Sequence, residues 1–126
     1  MEAHDRATLL REAYQRFNSR DVDGLLAMMT EEVLWPDVAN RSVLRGKEGI
    51  RAYWLAQFAA SDPRVEPTDF VEVADDLVAV VDQRILDREG RVLAGPSIVF
   101  HRYSFDGGLV SQMRWFADRD EALSTT

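Results

Sequence analysis

Asp37, His101, Tyr14 and Tyr103 are the side chains in this sequence whose types and settings suit proton transfer. Asp37 closes the short apolar run Val33-Leu34-Trp35-Pro36-Asp37. Drawn as a strand, this run puts Val33, Trp35 and Asp37 on one face, and Leu34 and Pro36 on the other. A carboxylate among apolar neighbours has a raised pKa, and a raised pKa suits a general base or acid near neutral pH. The same residues also fit a plain strand end, with Pro36 fixing φ and Asp37 opening a turn. Both readings remain open at this point. His101 and Tyr103 alternate with Val99 on a β-prone run, so the three share a face. His101 there is either a core histidine with a satisfied hydrogen bond or a donor in a site. Tyr103 offers a hydroxyl beside it. Tyr14 lies on an amphipathic segment and reads as core or cavity wall, with its hydroxyl capped by a neighbour.

These residues need elements to hold them. Leu9, Leu10, Ala13, Tyr14 and Phe17 recur at helical spacing, which predicts a helix over 5–19. Asp21 is a good N-cap for a second helix over 22–29. Gly24 weakens that helix, so packing of Leu25, Leu26 and Met29 must hold it. A strand at 33–37 and a polar loop at 38–45 follow. A third helix spans Lys47–Ala60, with Ile50, Tyr53, Trp54, Gln57 and Phe58 on one stripe that is apolar except for Gln57. The remainder reads as strands at 66–74, 77–87, 91–105 and 109–118. Arg88-Glu89-Gly90 and Asp106-Gly107-Gly108 serve as hairpin turns, and Gly95-Pro96 marks a bulge or bend. Asp118 with Glu121 resembles a capping box for a short final helix. Helices followed by a meander argue an α+β domain with helices on one face of a bent antiparallel sheet.

Pairing the last two strands across Asp106-Gly107-Gly108 sets His101 opposite Met113, Val99 opposite Trp115 and Tyr103 opposite Ser111. This face is largely apolar and is expected to look inward. The opposite face carries Phe100, Arg102, Ser104, Gln112, Arg114 and Phe116, and is expected to be solvated or a subunit contact. On the 77–87 strand, Leu77, Ala79, Val81, Gln83 and Ile85 form the more apolar set and are placed inward.

The bulk properties narrow the classes of function. One core suits 126 residues, and 46% hydrophobic with 29% charged residues is ordinary for a water-facing domain. A net charge of −7 and a pI near 4.8 disfavour nucleic acid and anionic membranes as partners. No apolar run nears the ~20 residues of a membrane span, and the N-terminal residues lack the pattern of a signal peptide, so a cytoplasmic location is expected. There is no cysteine, hence no thiolate chemistry. One internal histidine and scattered carboxylates make no metal ligand set. No phosphate loop, nucleophile elbow or dinucleotide fingerprint occurs, and no cofactor is expected.

Several stretches together resemble the nuclear transport factor 2-like superfamily, in its SnoaL-like and ketosteroid isomerase-like branch. They are the run from Tyr14 through Asn18-Ser19-Arg20-Asp21 to Leu26, the Val33–Asp37 run, Arg45-Gly46-Lys47-Glu48-Gly49-Ile50-Arg51-Ala52-Tyr53-Trp54, and Phe105-Asp106-Gly107-Gly108-Leu109-Val110. The resemblance covers residues 1–126 as a single SnoaL-like domain. It implies a cone: three N-terminal helices packed on a strongly curved antiparallel sheet, a short C-terminal helix, a deep apolar pocket and a homodimer. It places Asp37 where the isomerases keep their general base. It places His101 near the protonated acid that donates to the substrate oxygen in those enzymes. Their catalytic tyrosine falls at Ala13, about 100° around a helix from Tyr14. Steroid isomerisation itself is therefore not implied.

The expected ligand is a small apolar or carbonyl-containing molecule. Tyr14, Trp35, Trp54, Val99, Tyr103, Met113 and Trp115 are the expected pocket residues. One reading is a cofactor-independent isomerase, cyclase, dehydratase or hydrolase with Asp37 as general base and His101 as donor. A second is a binding protein without turnover, with Asp37 as a polar anchor. A third is a dimeric interaction module whose outer face docks a partner.

Overall fold

The structure, a computed structural model, describes residues 2–125. Helix α1, Ala3–Asn18, buries Leu10, Ala13 and Tyr14, the face that the helical spacing marks. The short α2, Val22–Leu26, is capped by the Asp21 carboxylate, which accepts from the Gly24 N–H. A Cβ at Gly24 would lie 2.2 Å from that carboxylate, so the glycine lets the cap sit close. Helix α3, Lys47–Ala60, buries Ile50 and Trp54.

Six strands follow or interleave: β1 (Met29–Asp37), β2 (Ser42–Arg45), β3 (Asp62–Val73), β4 (Asp76–Leu86), β5 (Val92–Asp106) and β6 (Leu109–Phe116). They form one sheet in the order β2-β1-β6-β5-β4-β3. A short α4, Arg119–Leu123, ends the described chain, with the Asp118 carboxylate accepting from the Asp120 N–H.

Several expectations need correction. The second helix ends at Leu26 rather than running to Met29, which instead opens β1. The 38–45 stretch is not all loop: Ser42–Arg45 pairs antiparallel with β1 as an edge strand. Only Leu44 of its apolar residues packs inward, and Val43 is 64% exposed, so the stretch carries little core signal. The sheet is not wholly antiparallel, because β1 runs parallel to β6. The β5–β6 register also differs. Asp106 pairs with Leu109 across a two-residue Gly107-Gly108 turn, and the register shifts again where Ser104 faces Gln112 and Phe105 faces Val110. His101 therefore faces Trp115, and Tyr103 faces Met113. The two single-residue shifts add to two, which returns every side chain to its expected face.

Leu77, Ala79 and Val81 of β4 and Val99 and Tyr103 of β5 thus share one core with α1, α2 and α3. The bend at Gly95 is a close approach: its φ is +86°, and a Cβ there would lie 2.4 Å from the Gln83 carbonyl. The outer face departs from expectation around Phe100 and Arg102. Val73, Val78, Phe100 and Ala122 form a second apolar cluster there, covered by α4. Buried among them, the Arg102 guanidinium donates to Asp76 Oδ2 at 2.8 Å, to the Ala122 carbonyl at 3.2 Å and to the Ser124 carbonyl at 2.5 Å. Arg114 reaches the same Asp76 oxygen at 3.1 Å.

A buried guanidinium that fastens a helix end and pairs with a half-buried carboxylate is costly to delete. Arg102→Ala is expected to lower the unfolding free energy by roughly 3 kcal/mol in urea denaturation. A loss under about 1 kcal/mol would show that α4 is not held through this residue.

Candidate functional site

Between the helices and the inner face of the sheet lies a cavity of about 350 Å³. Its depth can be followed from burial. The floor is made by fully packed residues, chiefly Tyr14 of α1, Trp54 of α3, and His101 and Tyr103 of β5. The mouth is made by half-exposed ones: Trp35 and Pro36 of β1, Tyr53 and Gln57 of α3, Gln83 of β4 and Trp115 of β6. Among the described residues, no charged side chain lines the cavity.

The floor holds a chain of hydrogen bonds. Tyr103 Oη donates to Tyr14 Oη at 2.8 Å, and Tyr14 Oη lies 2.8 Å from His101 Nδ1. With one proton per hydroxyl, a chain running from Tyr103 through Tyr14 ends with Tyr14 donating to Nδ1. In that direction the His101 proton sits on Nε2, which has no hydrogen-bond partner among the described residues. All three groups stay neutral. Burial lowers the His101 pKa from 6.5 to about 4. Burial raises Tyr14 well above the usual tyrosine value, with Tyr103 adding to the effect. It raises Tyr103 as well, against a partly offsetting bond with Tyr14. An imidazole with so low a pKa is a weak base but a usable N–H donor.

Aromatic rings build the walls. Trp35 packs edge-on against Trp54 with centroids 5.2 Å apart, and lies 6.4 Å from Tyr103. Phe17 packs edge-on against Trp54 at 6.2 Å. Of the expected pocket residues, Tyr14, Trp35, Trp54, Tyr103, Met113 and Trp115 line the cavity together with His101, whereas Val99 is buried beside it. Ala13 also lines it, so the one-position offset does not keep the Tyr14 hydroxyl out of the floor.

Asp37 sits elsewhere. It is 7% exposed and does not line the cavity, although its neighbours Pro36 and Val38 do. Its carboxylate accepts from the Asn40 N–H at 3.3 Å and from Asn40 Nδ2 at 2.8 Å, the bonding of a turn-opening aspartate. It is near enough to the mouth to act on Tyr53, whose pKa rises through burial first and the Asp37 charge second. Tyr53, Gln57 and Gln83 are mouth residues that were not singled out from sequence. The signal was present: Gln57 and Gln83 are the polar exceptions on stripes otherwise apolar and inward.

The model of the SnoaL-like domain matches residues 10–113. No curated protein matches the chain in sequence. Among solved structures, a Mycobacterium tuberculosis protein in complex with estradiol-17beta-hemisuccinate aligns with a TM-score of 0.77 at 20% identity, over 92% of this chain and 95% of that one. The epoxide hydrolase/cyclase-like enzyme SalBIII, of pyran ring formation in salinomycin, gives 0.77 at 20% identity over 91% and 92%. The Δ5-3-ketosteroid isomerase from Mycobacterium sp. gives 0.75 at 18% identity over 90% and 93%. At such identities the likeness establishes the fold, a nuclear transport factor 2-like one, and that fold hosts different activities.

The depressed His101 pKa has a signed consequence. Unfolded, the imidazole takes up a proton near pH 6.5; folded, it does so only near 4. Between these values the unfolded chain binds more protons, so stability falls as pH falls. The effect is absent above the unfolded value. Compared with His101→Gln, the wild type is expected to lose roughly 3 kcal/mol more between pH 6.5 and 4. Parallel stability curves for the two proteins would show that His101 is not buried in its neutral form.

Proposed function

The chain belongs to the SnoaL-like domain family, and from that premise we propose that it binds a neutral, mostly apolar small molecule, oxygen end first, with His101 donating to that oxygen. The observation that carries this reading is the Nε2 of a buried histidine, without a hydrogen-bond partner among the described residues, at the floor of an apolar cavity. The cavity volume is within the usual range for small-molecule sites. The lack of a lining cation among the described residues, with a net charge of −7, disfavours anionic ligands. A donor held in a dry floor polarises a carbonyl more strongly than the same donor in water.

The position of Asp37 favours a second reading, catalysis. Asp37 is two residues beyond Trp35 on β1, about 7 Å of strand. Trp35 in turn packs towards Tyr103. A carbonyl compound held by His101 and extending past Trp35 would bring its α-carbon, or a water beside it, towards this carboxylate. Asp37 would then act as general base in an isomerase, cyclase, dehydratase or hydrolase reaction needing no cofactor. For this the carboxylate must exchange an Asn40 bond for the substrate, so the binding reading makes fewer demands on the geometry.

A thermal-shift panel of steroids, polyketide-like ketones, terpenoid epoxides and aromatic acids tests both readings. A ligand at 100 times its Kd stabilises by about 2.7 kcal/mol, a shift of several degrees in a domain this small. Neutral ketones are expected to bind to wild type and Asp37→Asn alike, weakly to His101→Phe, and the acids not at all. Turnover of a hit by wild type and not by Asp37→Asn would establish the catalytic reading. Binding that is indifferent to His101→Phe, or no binding across the panel, would remove the proposal.

A further inference from the structure

The floor offers more than one hydrogen-bond donor. We propose that it selects ligands carrying one acceptor and one donor on neighbouring carbons, a hydroxy-carbonyl group, because a Tyr103–Tyr14–His101 chain in which Tyr14 accepts one bond and donates the other ends in one acceptor and one donor. This rests on the reading that the cavity binds a small molecule, and it adds the pattern of polar groups that the ligand carries.

The rule follows from counting protons. Three neutral groups carry three: one on each hydroxyl and one on the imidazole. Two are used within the chain, in the Tyr103–Tyr14 and Tyr14–His101 bonds, both 2.8 Å. One is left for the cavity. Run in the direction Tyr103 to Tyr14 to Nδ1, the chain leaves Nε2–H as donor and the Tyr103 oxygen as acceptor. Reversed, it leaves the Tyr103 hydroxyl as donor and Nε2 as acceptor. Either way the two ends have opposite character, and Tyr14 couples them.

Both ends belong to residues that line the same cavity. The three ring centroids form a nearly equilateral triangle, with sides of 5.9, 6.3 and 6.3 Å. Both end residues line the cavity, and neither end has another hydrogen-bond partner among the described residues. Burial resists ionisation of any member, so the count of three protons holds across the neutral pH range. A hydroxy ketone satisfies both ends. A diketone of the same shape sets an oxygen against the acceptor end, and a simple ketone leaves that end empty in a dry site.

Benzoin, benzil and deoxybenzoin form a matched test: the same two phenyl rings joined through a hydroxy ketone, a diketone and a simple ketone. Titration calorimetry at neutral pH is run on wild type and Tyr14→Phe. Wild type is expected to bind benzoin at least about tenfold more tightly than either analogue. In Tyr14→Phe the ends are uncoupled and the Tyr103 hydroxyl is free to donate. Benzil is then expected to come within about threefold of benzoin. Equal binding of all three by wild type overturns the pairing rule while leaving the cavity reading intact. A benzoin preference that survives Tyr14→Phe overturns the chain as its source. Failure of all three to bind, where other neutral ketones do, overturns the hydroxy-carbonyl assignment. Failure of every neutral ketone removes the cavity reading itself.

Discussion

The tie between Tyr14 of α1 and His101 and Tyr103 of β5 is the constraint on which the interior depends. Each of the three would cost on the order of 1–3 kcal/mol if buried without a partner. Among the described residues they find partners only in one another, so two hydrogen bonds of 2.8 Å set the rotation and height of α1 over the sheet. The same bonds explain why a cavity persists above them. Apolar walls attract each other, and a wholly apolar floor could close by sliding α1 towards β5. Polar atoms that must hold a given spacing oppose that closure, while Trp35, Trp54 and Phe17 brace the walls edge to face.

One strand carries this load on both sides. Consecutive residues of β5 alternate between faces, so His101 and Tyr103 enter the cavity floor while Arg102 between them enters the outer cluster. Arg102 holds Asp76 at the start of β4 and the carbonyls at the end of α4. A shift of β5 by one residue would exchange these roles, setting a guanidinium into the apolar cavity and an imidazole among the outer apolar residues. Neither face could tolerate the exchange, because each ionisable group has its partners on its own side. The register of the central hairpin is thus specified twice over. The two-residue turn at Gly107-Gly108 and the shift beyond it are tolerated because together they preserve the parity.

The elements legible in the sequence are those with a local signature. The helical spacing of Leu10, Ala13, Tyr14 and Phe17, the inward set from Leu77 to Ile85, and the face of Val99, His101 and Tyr103 follow from periods of 3.6 and 2. What could not be read is non-local. β2 is four residues long with one inward apolar side chain, so it has no pattern to detect. The parallel β1–β6 pairing joins residues about eighty apart and leaves no mark on either strand. Arg102 reads as a solvent residue until α4 is seen to cover it. Ala13 and Tyr14 both reach the cavity because it spans more of the helix surface than one position. The turn character of Asp37, by contrast, was present in Trp35-Pro36-Asp37 and its competition with a catalytic role is visible in the two bonds from Asn40.

The distribution of charge bears on which molecules the cavity can hold. Its floor is neutral by burial, its lining is free of charge among the described residues, and the Asp37 carboxylate lies beyond the lining, near enough to act on Tyr53. An anion brought to the floor would lose hydration and find no lining cation among the described residues, in a protein whose net charge of −7 has its own sign. A cation would find Asp37 already engaged by Asn40 and a floor that supplies a single acceptor. A neutral molecule escapes both penalties and gains from the aromatic walls. Its polar group then finds its protein hydrogen-bond partners at the floor, where His101 and Tyr103 line the cavity. The orientation of a ligand therefore follows from the same burial that holds His101, Tyr14 and Tyr103 neutral.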